Sequence, residues 1–147
     1  MASGPTPHTS FIQEQAQAVR HEAVSSRYFR LVMRAPKIAQ RATPGQFVLL
    51  SCLPIKPGLT DPLLPRPLAL LDADPKEDTV SFLYFVAGRG TDLLRRSAEE
   101  ALAAGPDALA WRLIGPLGKG FEPIDEVDVH VGVGGGSGVA PFIYTLF

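Results

Sequence analysis

Thr79-Val80-Ser81-Phe82-Leu83-Tyr84-Phe85-Val86-Ala87-Gly88-Arg89-Gly90-Thr91 runs from an apolar strand straight into a glycine turn. Residues 79–87 are rich in β-branched and aromatic side chains and follow the polar stretch 72–78, which predicts a strand entered from a turn. Beyond the glycines, Leu93, Leu94, Ala98 and Leu102 recur at helical spacing, so residues 92–104 predict a helix that Gly105-Pro106 stops. A helix N-terminus offers unpaired N–H groups and a partial positive charge, which suit a phosphate. Glycine lets the backbone approach such a group closely, and the Thr91 hydroxyl is placed to cap the helix. The same residues would also make a plain turn with an N-cap and no ligand.

Working outward, five more segments predict short strands: residues 11–21, 28–34, 46–52, 66–71 and 108–114. Turn signals separate them, among them Ala35-Pro36 and Thr43-Pro44-Gly45, a spacing that points to a barrel or sandwich. Residues 53–65 hold Pro54, Pro57, Pro62 and Pro65 and predict a loop, because proline lacks the ladder donor. Residues 115–121, Gly-Pro-Leu-Gly-Lys-Gly-Phe, read as a linker. After it the texture changes. Val127, Val129, Val131 and Val133 lead into Gly134-Gly135-Gly136-Ser137-Gly138-Val139-Ala140-Pro141, and residues 139–147 predict the first turns of a helix. This is the opening of a βαβ unit, whose strand needs parallel neighbours that the sequence does not go on to supply. The glycine spacing is neither the strict GxGxxG of dinucleotide folds nor a P-loop, since no Gly-Lys-Ser/Thr follows. A tight turn without a ligand is the alternative reading.

Composition narrows the function classes. The chain has 147 residues, 46% of them hydrophobic, enough for one domain and a little more. A net charge of −1 gives no electrostatic reason to expect nucleic acid or an anionic membrane as partner. No apolar run approaches the ~20 residues that span a bilayer. Residues 1–10 form a polar tail that does not read as a signal peptide. Cys52 is the only cysteine, so the chain alone cannot ligate an iron–sulfur cluster through cysteines. It is expected to be a small core residue, and a cytoplasmic location is the default. His8, His21 and His130 have no metal-ligand spacing. Asp125, Glu126 and Asp128 read as a solvated edge, and Arg95 and Arg96 as the exposed face of their helix.

The glycine motifs and their order resemble the ferredoxin-reductase-type flavoproteins, and within them the electron-transfer subunits of dihydroorotate dehydrogenase. Arg66-Pro67-Leu68-Ala69-Leu70 is similar to that family's Arg-Pro-x-Ser motif, and residues 83–91 to its strand and Gly-x-Gly-Thr phosphate loop. Residues 115–121 resemble the segment joining its flavin and nicotinamide domains, and residues 134–141 its nicotinamide loop. The resemblance covers residues 11–147. It implies a mainly β fold: a six-stranded antiparallel Greek-key FAD-binding barrel with one helix over residues 11–121. Residues 122–147 would be the first βα unit of an incomplete NAD-binding α/β domain. It further implies that Arg66 neutralises FAD phosphate and that Pro67, Leu68 and Ala69 lie along the ribityl chain and isoalloxazine. Leu83, Tyr84 and Phe85 would hold the flavin from the next strand, and Gly90 and Thr91 would hold the pyrophosphate. Gly134, Gly135, Gly136 and Gly138 would meet the pyrophosphate of NAD(H).

The chain departs from the family at Ala69, where a serine or threonine is usual, and at Phe85, where a basic residue is frequent. The family's four cluster cysteines are absent as well. The resemblance implies electron flow from NADH through FAD toward a partner catalytic flavoprotein subunit in pyrimidine biosynthesis, within a homodimer or heterotetramer. The competing expectation is a non-catalytic interaction module that keeps the barrel without productive flavin chemistry. A nucleotide hydrolase built on the Gly134 loop is excluded by the missing lysine.

Overall fold

In the computed structural model, which describes residues 11–58, 64–122 and 125–146, six strands close into an antiparallel barrel in the order β1-β2-β5-β4-β3-β6. The strands are β1 (Ile12–Ala23), β2 (Tyr28–Arg34), β3 (Phe47–Leu50), β4 (Arg66–Asp74), β5 (Thr79–Phe85) and β6 (Trp111–Leu117). Three helices accompany them: α1 (Pro36–Ala39), α2 (Arg89–Ala104) and α3 (Ala140–Leu146). β2 skips past β3 and β4 to pair with β5, which is the Greek-key crossover. Closure depends on β1, whose first half pairs with β6 and whose second half pairs with β2, with a register shift between Ala18 and Arg20. An extra residue of this kind bends a strand and lets it serve two neighbours.

Alternation sets the core. Leu31 and Met33, Val48 and Leu50, Leu68 and Leu70, Phe82 and Tyr84, and Trp111 and Leu113 all point into the barrel and are buried. Each large apolar side chain removed from water contributes about 1.5–3 kcal/mol. α2 packs its Leu94, Ala98 and Ala101 face against β1 and joins the same core. Glu14 reaches out of β1 to the start of α1, where its carboxylate accepts hydrogen bonds from the Lys37 and Ile38 amides, both at 3.0 Å. α1 has no capping side chain of its own, so this buried glutamate takes that part.

Several sequence expectations need correction. α2 begins at Arg89, three residues before the expected start, so the glycine turn forms the first turn of the helix. β6 runs from Trp111 to Leu117, into the segment expected to be a linker; residues 108–110 precede it. β3 is confined to Phe47–Leu50. The four-residue α1 had no periodic signal to reveal it. Residues 127–133 form no strand: Val127, Val129, Val131 and Val133 are 45%, 73%, 84% and 90% exposed. A β-branched run becomes a strand only where another edge offers hydrogen bonds, and here none reaches it among the described residues. The polar tail 1–10, the centre of the proline loop (59–63) and Phe147 lie outside the described residues.

The C-terminal segment nevertheless docks on the barrel. Phe142 stacks on Phe121 at 5.5 Å, the Tyr144 hydroxyl donates to the Ala42 carbonyl at 3.1 Å, and α3 lies against β4. No helix is long and apolar enough to cross a membrane among the described residues.

Candidate functional site

The inward residues of β4 and β5 leave their outward neighbours to form a face. Leu68 and Leu70 point inward, so Pro67 and Ala69 point outward; Phe82 and Tyr84 point inward, so Leu83 and Phe85 point outward. Across the sheet, Phe85 pairs with Tyr28 and Leu83 with Arg30. Pro67, Ala69, Leu83 and Phe85 thus give an apolar floor, edged by Tyr28 and Arg30. Leu68 and Tyr84, also expected at the ligand, turn their side chains inward. Both belong to the core, so only their backbone can meet a group lying on the face.

At one end of the floor, Arg66 lies against the first turn of α2. A Cβ placed on Gly90 would stand 3.0 Å from Arg66 Nε, 3.0 Å from Nη2 and 3.0 Å from Cys52 Sγ. Any side chain here would have to push the guanidinium away, so glycine is what lets the cation rest on the helix start. The first ladder bond of α2 runs from the Asp92 amide to the Gly88 carbonyl at 3.0 Å. The amides of Gly90 and Thr91 therefore lie ahead of the ladder and beside a guanidinium. Among the described residues no carboxylate pairs with Arg66, and its guanidinium donates to the Leu64 carbonyl at 3.5 Å.

Thr91 differs from its expected role as the cap. It is the third residue of α2, and its hydroxyl accepts from the Ala87 and Gly88 amides at 3.0 and 3.2 Å and donates to the Gly88 carbonyl at 3.1 Å. The side chain thus stiffens the glycine turn from within, leaving the backbone to meet a ligand. Arg95 and Arg96 are tied along α2: both bond Asp92, and Arg95 also bonds Glu99. Cys52 is buried, yet it sits beside Arg66 and Gly90 rather than among the core side chains. Burial pushes its thiol up from the ordinary range and the Arg66 charge only partly offsets this, so it is a neutral filler rather than a nucleophile.

Three residues on or behind the face carry contacts that the sequence did not disclose. Arg27 lies over the Phe85 ring at 4.3 Å and donates to the Val86 carbonyl at 2.9 Å. Arg30 joins the face directly. His21 stacks on Phe29 at 5.1 Å and bonds the Tyr84 hydroxyl at 2.8 Å, which pins β5 from inside. Burial pushes the His21 imidazole down, with Glu99 opposing and Arg95 assisting, and burial pushes the Tyr84 phenol well up. Only the register of β1 against β2 and of β2 against β5 brings these groups together, and no local spacing encodes it.

The second glycine loop comes to the same rim. Residues 136–139 make a 3₁₀ turn that runs into α3, with the Gly138 amide bonded to the Gly135 carbonyl at 3.0 Å. Gly136 has φ +57°, and a Cβ there would lie 3.1 Å from the Tyr28 hydroxyl. Gly134 packs against Phe142, while Gly135 and Gly138 have open space around them.

A planar ring with a pyrophosphate tail fits the first half of this arrangement. Arg66 on Gly90 offers charge and amides to the tail, the apolar floor suits the ring, and Arg30 leaves a buried Nε without a partner beside that floor. The fit to a nicotinamide dinucleotide is partial. A glycine turn is present, but a dinucleotide crevice forms at the ends of several parallel strands, and residues 127–133 pair with none among the described residues.

No family model matches the chain. Curated relatives do. Over 102 residues it is 39% identical to the dihydroorotate dehydrogenase B (NAD(+)) electron transfer subunit of Clostridium acetobutylicum, covering 69% of this chain and 35% of that protein. Against the subunit of the same name from Geobacillus thermodenitrificans it is 32% identical over 137 residues, 91% of this chain and 48% of the relative. The chain is a homologue of the dihydroorotate dehydrogenase B electron transfer subunits. It spans between about a third and a half of the length of these curated relatives.

The barrel architecture recurs in solved structures. The ferredoxin reductase of carbazole 1,9a-dioxygenase aligns with a TM-score of 0.67 at 19% identity, over 93% of this chain and 39% of that one. An NADH-dependent reduced ferredoxin–NADP oxidoreductase aligns with a TM-score of 0.57 at 24% identity, over 72% of this chain and 33% of that one. At such identities the likeness establishes the fold: a ferredoxin-reductase-type barrel, as the sequence resemblance implied.

Proposed function

We propose that this chain binds FAD on the outward face of β4 and β5 and is part of an electron-transfer subunit. It would take electrons from NADH and hand them toward a catalytic flavoprotein subunit of the dihydroorotate dehydrogenase type. The carrying observation is the Arg66 guanidinium resting on Gly90 at the start of α2. The names of the curated relatives support an electron-transfer role and the existence of a partner. FAD, when bound, supplies the two-electron chemistry; protein groups position it. Arg66 and the Gly90 and Thr91 amides hold the pyrophosphate. Pro67, Ala69, Leu83 and Phe85 present an apolar surface to the ribityl chain and ring, while Leu68 and Tyr84 act through backbone and by seating their strands. Residues 11–121 form the FAD-binding unit. Residues 122–147 open a nicotinamide unit in which Gly134, Gly135, Gly136 and Gly138 approach the NADH pyrophosphate. The assembly is a homodimer or heterotetramer in the cytoplasm, and any [2Fe-2S] cluster is ligated outside residues 1–147.

The test is equilibrium titration with FAD followed by flavin fluorescence. Arg66→Ala removes a charge-assisted contact and is expected to weaken binding about ten- to hundredfold, from roughly 1.5–3 kcal/mol. Equal affinity of the two proteins would refute the assignment. A second reading, a docking module without flavin chemistry, is favoured by the exposed valines at 127–133 and by an open apolar groove of about 580 Å³ lined by Phe121, Val131, Val139 and Phe142. A purified chain that is colourless and takes up no FAD would favour that reading.

A further inference from the structure

The outward residues of β4 and β5 that make the floor are all apolar: Pro67, Ala69, Leu83 and Phe85. The polar edge of an isoalloxazine would find no side-chain donor among these four floor residues. β2 supplies one. Arg30 is in direct register with Leu83, and because Leu31 points into the core, Arg30 points out onto the same face.

Arg30 is distinctive among the arginines. Its Nε is buried and has no hydrogen-bond partner, one of three such side-chain atoms among the described residues. A buried unmade donor costs about 1–3 kcal/mol, and more when the group is charged, so an arginine left this way is waiting for an acceptor. Arg20, Arg34, Arg95 and Arg96 each pair with a carboxylate, whereas none pairs with Arg30 among the described residues. Its side chain borders a cavity of about 310 Å³ shared with Leu71, Asp72, Ile143 and Tyr144. Asp72 lines that cavity without reaching ion-pair distance.

We infer that Arg30 tunes the flavin: its guanidinium donates to the polar edge of the isoalloxazine and stabilises the negative charge of the reduced ring. This rests on the FAD reading above. It assigns to β2 the hydrogen-bond donor that Ala69 on β4 lacks. Charge near the ring nitrogens is a principal means by which a protein sets flavin electronics, and a positive charge favours the reduced, more anionic form.

The experiment measures the two-electron midpoint potential of bound FAD by dye-equilibrated spectroscopic titration, together with the dissociation constant for oxidised FAD and the thermal midpoint of the apoprotein. Arg30→Gln keeps hydrogen-bonding capacity but removes the charge. It is expected to lower the affinity for reduced flavin ten- to hundredfold relative to oxidised flavin, a fall of about 30–60 mV for a two-electron couple. Affinity for oxidised FAD should stay within about threefold. Arg30→Lys restores the charge and should recover most of the potential. Arg30→Met, neutral and of similar reach, gives the same reading should Arg30→Gln not fold. An unchanged potential in a neutral variant that holds FAD, or a lysine variant as low as the neutral one, overturns the role of Arg30 alone. Failure of the wild-type chain to bind FAD overturns the parent reading and this one with it.

Discussion

Residues 79–85 and residues 127–133 look alike as sequence, both β-branched or aromatic runs entering glycine turns, yet they end in opposite states. β5 has β2 on one side and β4 on the other, and its Phe82 and Tyr84 are sealed in the core. The valine run has no partner strand among the described residues, and Val133 is 90% exposed. The difference lies in neighbours rather than in propensity: a pleated, apolar segment is stable as a strand only where its backbone groups and one face are satisfied by another element.

The largest expected effect that sharpens this contrast comes from truncating side chains in the two regions. Phe82→Ala should cost about 3–5 kcal/mol in urea unfolding, whereas Val131→Ala should stay within about 0.5 kcal/mol. Comparable losses at both sites would mean that the valine run is packed in solution. Next in size is Glu14. Glu14→Ala leaves two amides at the start of α1 without acceptors and should cost about 1–3 kcal/mol, seen as a lower urea midpoint at unchanged slope. Native-state hydrogen exchange should show amides of 127–133 exchanging with little protection, while those of β5 open only with global unfolding. Strong protection through the valine run of a demonstrated monomer would break the comparison.

The smallest effect is a pH dependence. The folded state holds His21 below its ordinary value of 6.5, chiefly by burial. The unfolded chain therefore binds the proton more readily, and stability falls as pH drops below about 6.5 through the folded value. His21→Gln should narrow the difference in urea midpoint between pH 8 and pH 5. A difference as large as in wild type would remove His21 from that role.

The barrel was legible because its information is local and repeated. Strands such as Tyr28–Arg34 are bounded by turn residues, and alternation picks out the inward face. The glycine turn at the start of α2 was legible through Gly88-Arg89-Gly90-Thr91, although the helix starts inside that motif and the Thr91 hydroxyl braces the turn. What stayed hidden is set by register between distant strands. Arg30 opposite Leu83, Arg27 over Phe85 and His21 against Tyr84 each join residues more than fifty positions apart. The inward orientation of Leu68 and Tyr84 was readable from alternation, but a motif treated as a continuous string conceals that every second residue faces away.

The most direct measurement of the central idea, that Arg66 on Gly90 is a phosphate site, compares FAD with riboflavin by titration calorimetry on the wild type and Arg66→Ala. The expected result is a loss of about ten- to hundredfold for FAD and no change for riboflavin, which lacks the pyrophosphate. An equal loss for both ligands, or none for either, would contradict it.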